Sequence, residues 1–244
     1  VLMVATGSWA LSGASTYTGS TRIFAGVLIV STLADGGATS SIGASSNAAA
    51  NLWIDGGALR YVGGATSTDR LFNLGVFSNT LDASGTGAVN FTNTGSMGFS
   101  GTGTRTLILS GTNTGSNTLA AVIGESGVTT SVLKAGGGNW SLTGLNTYTG
   151  TSTITNGKLV VNGSISTSSL TTIASGATLA GSGTIGKAII NGTLAVGNSP
   201  GQMDFTDTLG LAGTTIMEID GTAGAGVTSG HDFVNLTGAG AAGV

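Results

Sequence analysis

Few side chains in this sequence could carry out chemistry, and the best-placed pair is acidic. Glu218 and Asp220 are two residues apart, and in a strand such residues project from one face. Carboxylate clusters on the outer face of a sheet are typical of some glycan lyases and hydrolases. Cleavage of polyuronates also needs a nearby Arg, Lys or Ca²⁺. The nearest basic residue before the pair is Lys187, which is distant from it in the sequence. We therefore predict no catalytic residues and no enzymatic activity.

The single histidine, His231, is followed by Asp232, which invites comparison with a catalytic triad. Adjacent residues of a strand point to opposite faces, so this pair cannot act as base and orienting carboxylate. We expect a polar pair that faces solvent or is bonded locally.

A glycine-rich stretch, Gly181 to Ala188, satisfies the pattern Gly-x-Gly-x-x-Gly and nearly satisfies that of a phosphate-binding loop. Such a loop must lead into a helix, whose free amides hold the anion. Here Lys187 opens a short strand that ends at Asn191-Gly192. The pattern predicts a corner between strands, so no cofactor site is expected.

Metal sites are not indicated either. Asp204 and Asp207 lack the Gly-Gly-x-Gly-x-Asp repeat of a calcium-binding β-roll. The chain has no Cys, which excludes thiolate ligands and disulfides. We predict neither a metal ion nor a cofactor.

The composition limits the partners of the chain. Charged residues form 7% of the 244 residues, 45 residues are Gly, and the net charge is -3. Seven scattered Lys and Arg cannot form the basic stripe that nucleic acid requires.

With 40% hydrophobic residues and a mean hydropathy of +0.38, a folded core is expected. The apolar runs are too short to span a membrane, so no membrane insertion is predicted. The start resembles neither a signal peptide nor an initiating Met, which indicates an internal or processed segment.

Internal repetition is the strongest signal in the sequence. Residues 7–30 and 138–161 agree at twelve positions at an offset of 131. The shared residues include two aromatic pairs, Trp9 with Trp140 and Tyr17 with Tyr148. These aromatic side chains could form a sugar-stacking platform or fix the fold of each repeat, and we favour packing. The sequence thus predicts two repeat units, roughly 1–131 and 132–244.

The apolar stretches are short and alternate, as in Leu107–Leu109, Lys158–Val161, Ala188–Ile190 and Ile216–Ile219. Runs of this length between Gly and Asn-Gly breakers predict strands. Only residues 45–50 have any helical character. Leu159, Leu179, Leu194 and Ile216 recur at 20, 15 and 22 residues, close to the length of one solenoid coil.

Two all-β architectures compete, an antiparallel sandwich and a parallel β-solenoid. The solenoid is favoured because Gly and Asn occupy every corner. In addition, consecutive strands do not have the complementary lengths that hairpin pairing requires. Stacking of like residues about 4.8 Å apart favours Thr, Asn and apolar ladders and disfavours charge. We predict one continuous β-solenoid over residues 1–244, with roughly ten to twelve coils and a length of about 50 Å.

The segments Gly138–Gly150 and Thr153–Val161 resemble the autotransporter-associated β-strand repeat of bacterial passenger domains. Residues 176–185, 191–194, 197–201, 217–221 and 231–238 resemble the usual order downstream of that repeat. The resemblance implies a right-handed, single-stranded parallel β-helix that is exported and displayed on the bacterial surface. It implies no particular ligand.

We therefore predict an extracellular structural or adhesive segment, with self-association, head to tail or lateral, or surface glycans as partners. Exposed strand edges at uncapped ends would favour a filament or continuation into further repeats. The alternative is a glycan-binding or glycan-cleaving parallel β-helix. An ice-binding solenoid would require regular Thr-x-Thr on one flat face, and the Thr spacing here is irregular.

Overall fold

A computed structural model of the chain describes residues 1–4, 6–198, 200–226 and 230–238. Within these ranges the chain forms short strands joined by turns, with one 3-10 helix at Ala49–Asn51. The strands are β1 (Leu2–Met3), β2 (Ser8–Leu11), β3 (Thr21–Ile23), β4 (Val27–Val30), β5 (Leu52–Ile54), β6 (Ala58–Tyr61), β7 (Thr66–Thr68), β8 (Asn73–Leu74), β9 (Phe77–Ala83), β10 (Val89–Phe91), β11 (Gly98–Phe99), β12 (Arg105–Ser110), β13 (Asn117–Leu119), β14 (Thr130–Lys134), β15 (Asn139–Leu142), β16 (Ser152–Ile154), β17 (Lys158–Val161), β18 (Ser164–Ile165), β19 (Thr171–Ile173), β20 (Thr178–Gly181), β21 (Thr184–Ile185), β22 (Ala188–Ile190), β23 (Thr193–Val196), β24 (Gln202–Phe205), β25 (Leu209–Leu211), β26 (Thr214–Ile216) and β27 (Phe233–Leu236).

The strands form three faces around one core. Face I is a ten-stranded sheet, β2-β4-β6-β9-β12-β14-β16-β19-β22-β25, and face II is an eight-stranded sheet that runs from β7 to β26. Face III consists of β1-β3-β5-β8-β11 and of β18-β21-β24-β27. From β6 to β12 and from β17 to β27 the chain visits faces I, II and III in turn, and the neighbouring strands of each face pair in parallel. Between β12 and β17 the strands alternate between faces I and II, and the isolated bridges Ser96–Val122 and Leu145–Ser164 continue face III. The predicted all-β, parallel β-helix is confirmed, and the antiparallel sandwich is wrong.

Alternating burial explains why these segments form strands around a shared core. In β12 and β17 every second residue is buried, which places one file of side chains inside and one outside. Leu159, Leu179 and Leu194 stack on successive coils, as their spacing predicts. The prediction that Ile216 continues this stack is wrong by one residue. Thr215 pairs with Leu194 instead, and Ile216 points outward with 55% of its surface exposed.

Residues 31–51 form a long connection between β4 and β5. The helical tendency expected at residues 45–50 is realised as the single turn Ala49–Asn51. Arg70 holds this connection from the next coil, because its buried guanidinium donates to the carbonyl oxygens of Ala34, Gly43 and Ser45 at 2.8–3.0 Å. The connection is thus bound to the solenoid by a cation that serves as a hydrogen-bond hub.

The two sequence repeats adopt the same local structure on different faces. In the first repeat β2 pairs with β4 on face I, and Trp9 lies beside Leu28. In the second repeat β15 pairs with β17 on face II, and Trp140 lies beside Leu159. The repeat therefore specifies one coil of chain, whereas its position around the axis depends on the coils between the copies.

Three buried asparagines link neighbouring coils through their side-chain amides. Asn117 accepts a hydrogen bond from Val89 N on the preceding coil and donates to Asn139 O on the following coil, both at 2.9 Å. Asn146 and Asn79 make the same kind of link to their two neighbouring coils. Since a primary amide carries both a donor and an acceptor, it can continue the ladder between coils where the main chain cannot.

Candidate binding surface

The acidic pair Glu218 and Asp220 does not lie on a strand, because β26 ends at Ile216. Both side chains are exposed, and their backbone amides donate to Asp232 and Gly230 at 2.6 and 2.8 Å. The charge of Lys187 acts on Asp207 and not on this acidic pair. Hydrogen bonds from Thr208, and then the attraction of Lys187, hold the pKa of Asp207 below its usual range. The expectation that Glu218 and Asp220 share a strand face is therefore wrong.

Asp232 is a structural carboxylate. It is buried, and its two oxygens accept hydrogen bonds from Gly201 N and Glu218 N at 2.8 and 2.6 Å. His231 takes part in backbone bridges to Ile219 and Ala225. Asp232 thus fastens Gly201 and Glu218 through its side chain, and His231 contacts Ile219 and Ala225 through its backbone.

The glycine-rich stretch forms a corner, as the sequence predicts. Gly181 ends β20, and β21 and β22 follow where a phosphate-binding loop would require a helix. A side chain at Gly183 would place its Cβ 2.3 Å from the carbonyl oxygen of Gly163. Gly163 in turn would meet Gly144 O at 2.1 Å. The glycines allow the corners of successive coils to stack closely.

The remaining acidic candidates also serve the fold. Asp204 accepts hydrogen bonds from Gln202 and Asn235 at 2.6 Å, and Asp207 accepts from Thr208 N at 2.6 Å. Among the described residues no group of three or more Asp, Glu or His side chains gathers as metal ligands. The sequence-based prediction of no metal or cofactor site remains a prediction.

Three of the four repeated aromatic side chains pack against the solenoid. Trp140 and Tyr148 are buried, and Trp140 Nε1 donates to Ser110 O at 2.8 Å. Tyr17 and Tyr148 make equivalent hydroxyl hydrogen bonds, to Thr21 at 2.7 Å and Ser152 at 2.6 Å. Trp9 differs, since 46% of its surface is exposed. A buried ring cannot stack on a sugar, so Trp140 and Tyr148 do not form such a platform.

Three buried cationic side chains are held by backbone oxygens. Arg70 contacts the connection 31–51, and Arg105 donates to Ser100 O and Gly101 O at 3.2 and 3.1 Å. Lys134 Nζ donates to three carbonyl oxygens, those of Ala135, Gly136 and Asn156, at 2.8–3.0 Å. Burial lowers the pKa of Lys134 to about 8. These side chains fasten corners and are not placed to act on a ligand.

A trough on face II is the best candidate for a binding surface, and the sequence reasoning missed it. Its volume is about 370 Å³. Its lining is mostly hydroxyl and amide side chains from β13, β15 and β17, the corners beside them and the corner after β23: Ser116, Thr118, Asn139, Trp140, Ser141, Thr143, Lys158, Val160, Asn162 and Asn198. Outward residues at consecutive rungs could have indicated it, but only with the register known.

The trough has small residues on its floor and longer ones on its walls. Thr118, Ser141 and Val160 lie in one outward file because they pair rung by rung. Asn139 and Lys158 form the adjacent file on one side. The floor is therefore recessed between polar walls and runs along the solenoid axis.

The chain is a parallel β-solenoid in which two segments match a known repeat family. The passenger-associated-transport-repeat family matches residues 6–30 and 132–161. The resemblance to autotransporter passenger domains is confirmed, and with it the predicted location outside the cell, at the bacterial surface.

One similar protein is the adhesin BmaC autotransporter of Brucella suis biovar 1 (strain 1330). It is 49% identical over 138 residues, which cover 55% of this chain and 4% of that protein. The chain thus spans a small part of the relative's length. Comparison with solved structures finds none that matches. None of the described residues belongs to a helix that could span a membrane.

Proposed function

We propose that this chain is a rigid section of an extracellular adhesive or structural rod, and that residues 1–244 form one continuous solenoid. The observation that carries the proposal is the parallel pairing of ten strands on face I, in a chain with two passenger repeats. Such pairing makes each coil the template for the next, which gives length and stiffness without a large core. The name of the relative as an adhesin supports an adhesive role.

Adhesion can be tested with beads coated with the chain and applied to fixed cultured animal cells. We expect beads with folded chain to attach more than beads with heat-unfolded chain at equal coating density. Equal attachment of the two would contradict an adhesive role.

We propose that the role is not catalytic. The acidic pair lies off any strand, and the buried cations Arg70, Arg105 and Lys134 donate to backbone oxygens. Incubation with polyuronates and with neutral glycans should produce no new reducing ends and no unsaturated products. Either product would establish the glycan-cleaving alternative.

We also propose that the end coils join further coils, either of a longer chain or of a second copy. Trp140 rests on the coil that precedes it, whereas its counterpart Trp9 is 46% exposed. At the other end β25, β26 and β27 are the last strands of their sheets and pair on one side only. Light scattering tests the second copy: a mass that rises with concentration is expected, and a monodisperse monomer would refute self-association.

A further inference from the structure

We propose that the trough on face II binds an extended glycan that contains uronic acid, aligned with the solenoid axis, with Lys158 contacting its carboxylate. This inference rests on the proposed adhesive role and specifies the chemistry of its partner. It requires no reaction.

The first argument is a recessed hydroxyl on the trough floor. Ser141 is 8% exposed and lines the trough. A hydroxyl that opens into a groove can exchange its hydrogen bonds with water for those of a sugar hydroxyl. Ser141 points outward, since it pairs with Thr118 and Val160 in the outer file.

The second argument is the match between the walls and sugar hydroxyls. Asn162 Oδ1 accepts from Asn198 Nδ2 at 3.0 Å, and Asn198 Nδ2 also donates to Ser182 Oγ at 2.9 Å. These bonds leave Asn162 Nδ2 as a donor and Asn198 Oδ1 as an acceptor. A sugar hydroxyl both donates and accepts, so neighbouring donors and acceptors suit it.

The third argument is charge. Lys158 is the only charged residue that lines the trough, and no Asp or Glu among the described residues lines it. The ion pair found in the described ranges joins Arg60 to Asp82 on face I. Lys158 is therefore available to a carboxylate of the ligand, and a charge-assisted hydrogen bond of this kind is about twice as strong as a neutral one.

The shape favours a polysaccharide over a peptide. The strand residues that line the trough lie on three successive coils, those of β13, β15 and β17, which are two steps of about 4.8 Å or ~10 Å along the axis. Peptides commonly bind sheets by adding a strand to a free edge. The strands under the trough, β13, β15 and β17, are paired on both sides.

The test is titration calorimetry of the 244-residue chain with a hyaluronan oligosaccharide, which contains uronic acid, and a neutral chitin oligosaccharide of equal length. We expect tighter binding of hyaluronan, with an affinity that falls as salt is raised. Lys158→Gln should weaken hyaluronan binding about tenfold and leave chitin binding unchanged. Lys187→Gln, outside the trough, is the matched control and should change neither.

Val160→Phe provides a second, uncharged variant. Val160 is half-buried and faces outward on the floor, so a phenyl ring should fill the trough while the unfolding midpoint stays near that of the parent. Binding of both oligosaccharides should be lost. The proposal is overturned if the parent binds neither sugar, if Lys187→Gln weakens hyaluronan binding as much as Lys158→Gln, or if Val160→Phe binds like the parent. If it fails while coated beads still attach to cells, adhesion uses another surface.

Discussion

Replacing the buried Asn117 with an isosteric carboxylic acid tests whether side-chain amides complete the ladder between coils. The amide accepts from Val89 N and donates to Asn139 O, both at 2.9 Å, with longer contacts to Asn113 O and Gly115 O at 3.2 and 3.4 Å. In Asn117→Asp the acceptor remains. The donor is lost, and a carboxylate oxygen faces carbonyl oxygens instead.

The size of the effect follows from these contacts. An unpaired buried carbonyl costs about 1–3 kcal/mol, and a buried carboxylate among carbonyl oxygens adds a similar or larger cost. We expect Asn117→Asp to lose roughly 3–5 kcal/mol of unfolding free energy at pH 7. Burial and the carbonyl dipoles raise the pKa of the introduced carboxyl, so its protonated form is favoured in the folded state. That stabilisation is present below the unfolded pKa of about 4 and is lost as pH rises through the folded pKa. The deficit should therefore shrink to about 1–2 kcal/mol near pH 4, where the acid donates again.

The assay is urea unfolding at both pH values, with hydrogen exchange of the Val89 amide as a local measurement. Asn117→Leu leaves the Val89 amide and the Asn139 carbonyl unpaired, and should cost roughly 2–5 kcal/mol at either pH with faster Val89 exchange. Asn117→Asp should keep that amide protected. Asn156→Asp is the control, because Asn156 is exposed and its Oδ1 accepts from Gly157 N. Parent-like stability of Asn117→Asp at pH 7, or equal deficits at both pH values, would refute the reasoning.

Three further substitutions test other contacts. Gly163→Ala should destabilise the chain by about 2–4 kcal/mol in urea unfolding, because its Cβ would meet a backbone oxygen at 2.1 Å; Gly137→Ala, with nothing within 4 Å, should have little effect, and equal effects would contradict corner stacking. Arg70→Leu should speed hydrogen exchange in residues 34–45 by at least about tenfold, since several buried carbonyls lose their donor; unchanged exchange there would contradict the hub role. As pH rises from 8 to the unfolded lysine pKa near 10.4, the parent should gain unfolding free energy relative to Lys134→Met. The reason is that the folded state releases the Lys134 proton at about pH 8, whereas the unfolded state retains it. A difference in unfolding free energy between parent and variant that stays constant with pH would contradict the burial of the charge.

Much of the fold could be predicted because it depends on local periodicity. Lys158–Val161 and Ala188–Ile190 are strands with the predicted bounds, since alternating apolar residues between Gly and Asn breakers have few other ways to bury themselves. The failure at Ile216 has the same origin. Apolar type alone does not decide register, and a shift of one residue turns a side chain from the core to solvent.

The position of the repeats around the axis could not be predicted in this way. Trp9 and Trp140 occupy equivalent places in sequence but lie on faces I and II. Their face depends on how many residues each intervening coil and corner contains, and residues 31–51 form a connection whose path is set by Arg70. The trough was missed for the same reason, since Ser141 and Lys158 become neighbours only through pairing of their coils.

The central claim is that successive coils stack in register along one axis, and distances between spin labels on face I test it most directly. Ala58, Thr80, Ile108, Leu133, Thr153, Thr172 and Ile189 pair in sequence along one outward file. The chain has no Cys, so pairs of cysteines can be introduced without background. Pulsed electron resonance should give ~24 Å between positions 58 and 172 and ~29 Å between 58 and 189, an increase of about 4.8 Å for the added coil. A distance that stays constant or shortens at position 189 would contradict the stacked solenoid.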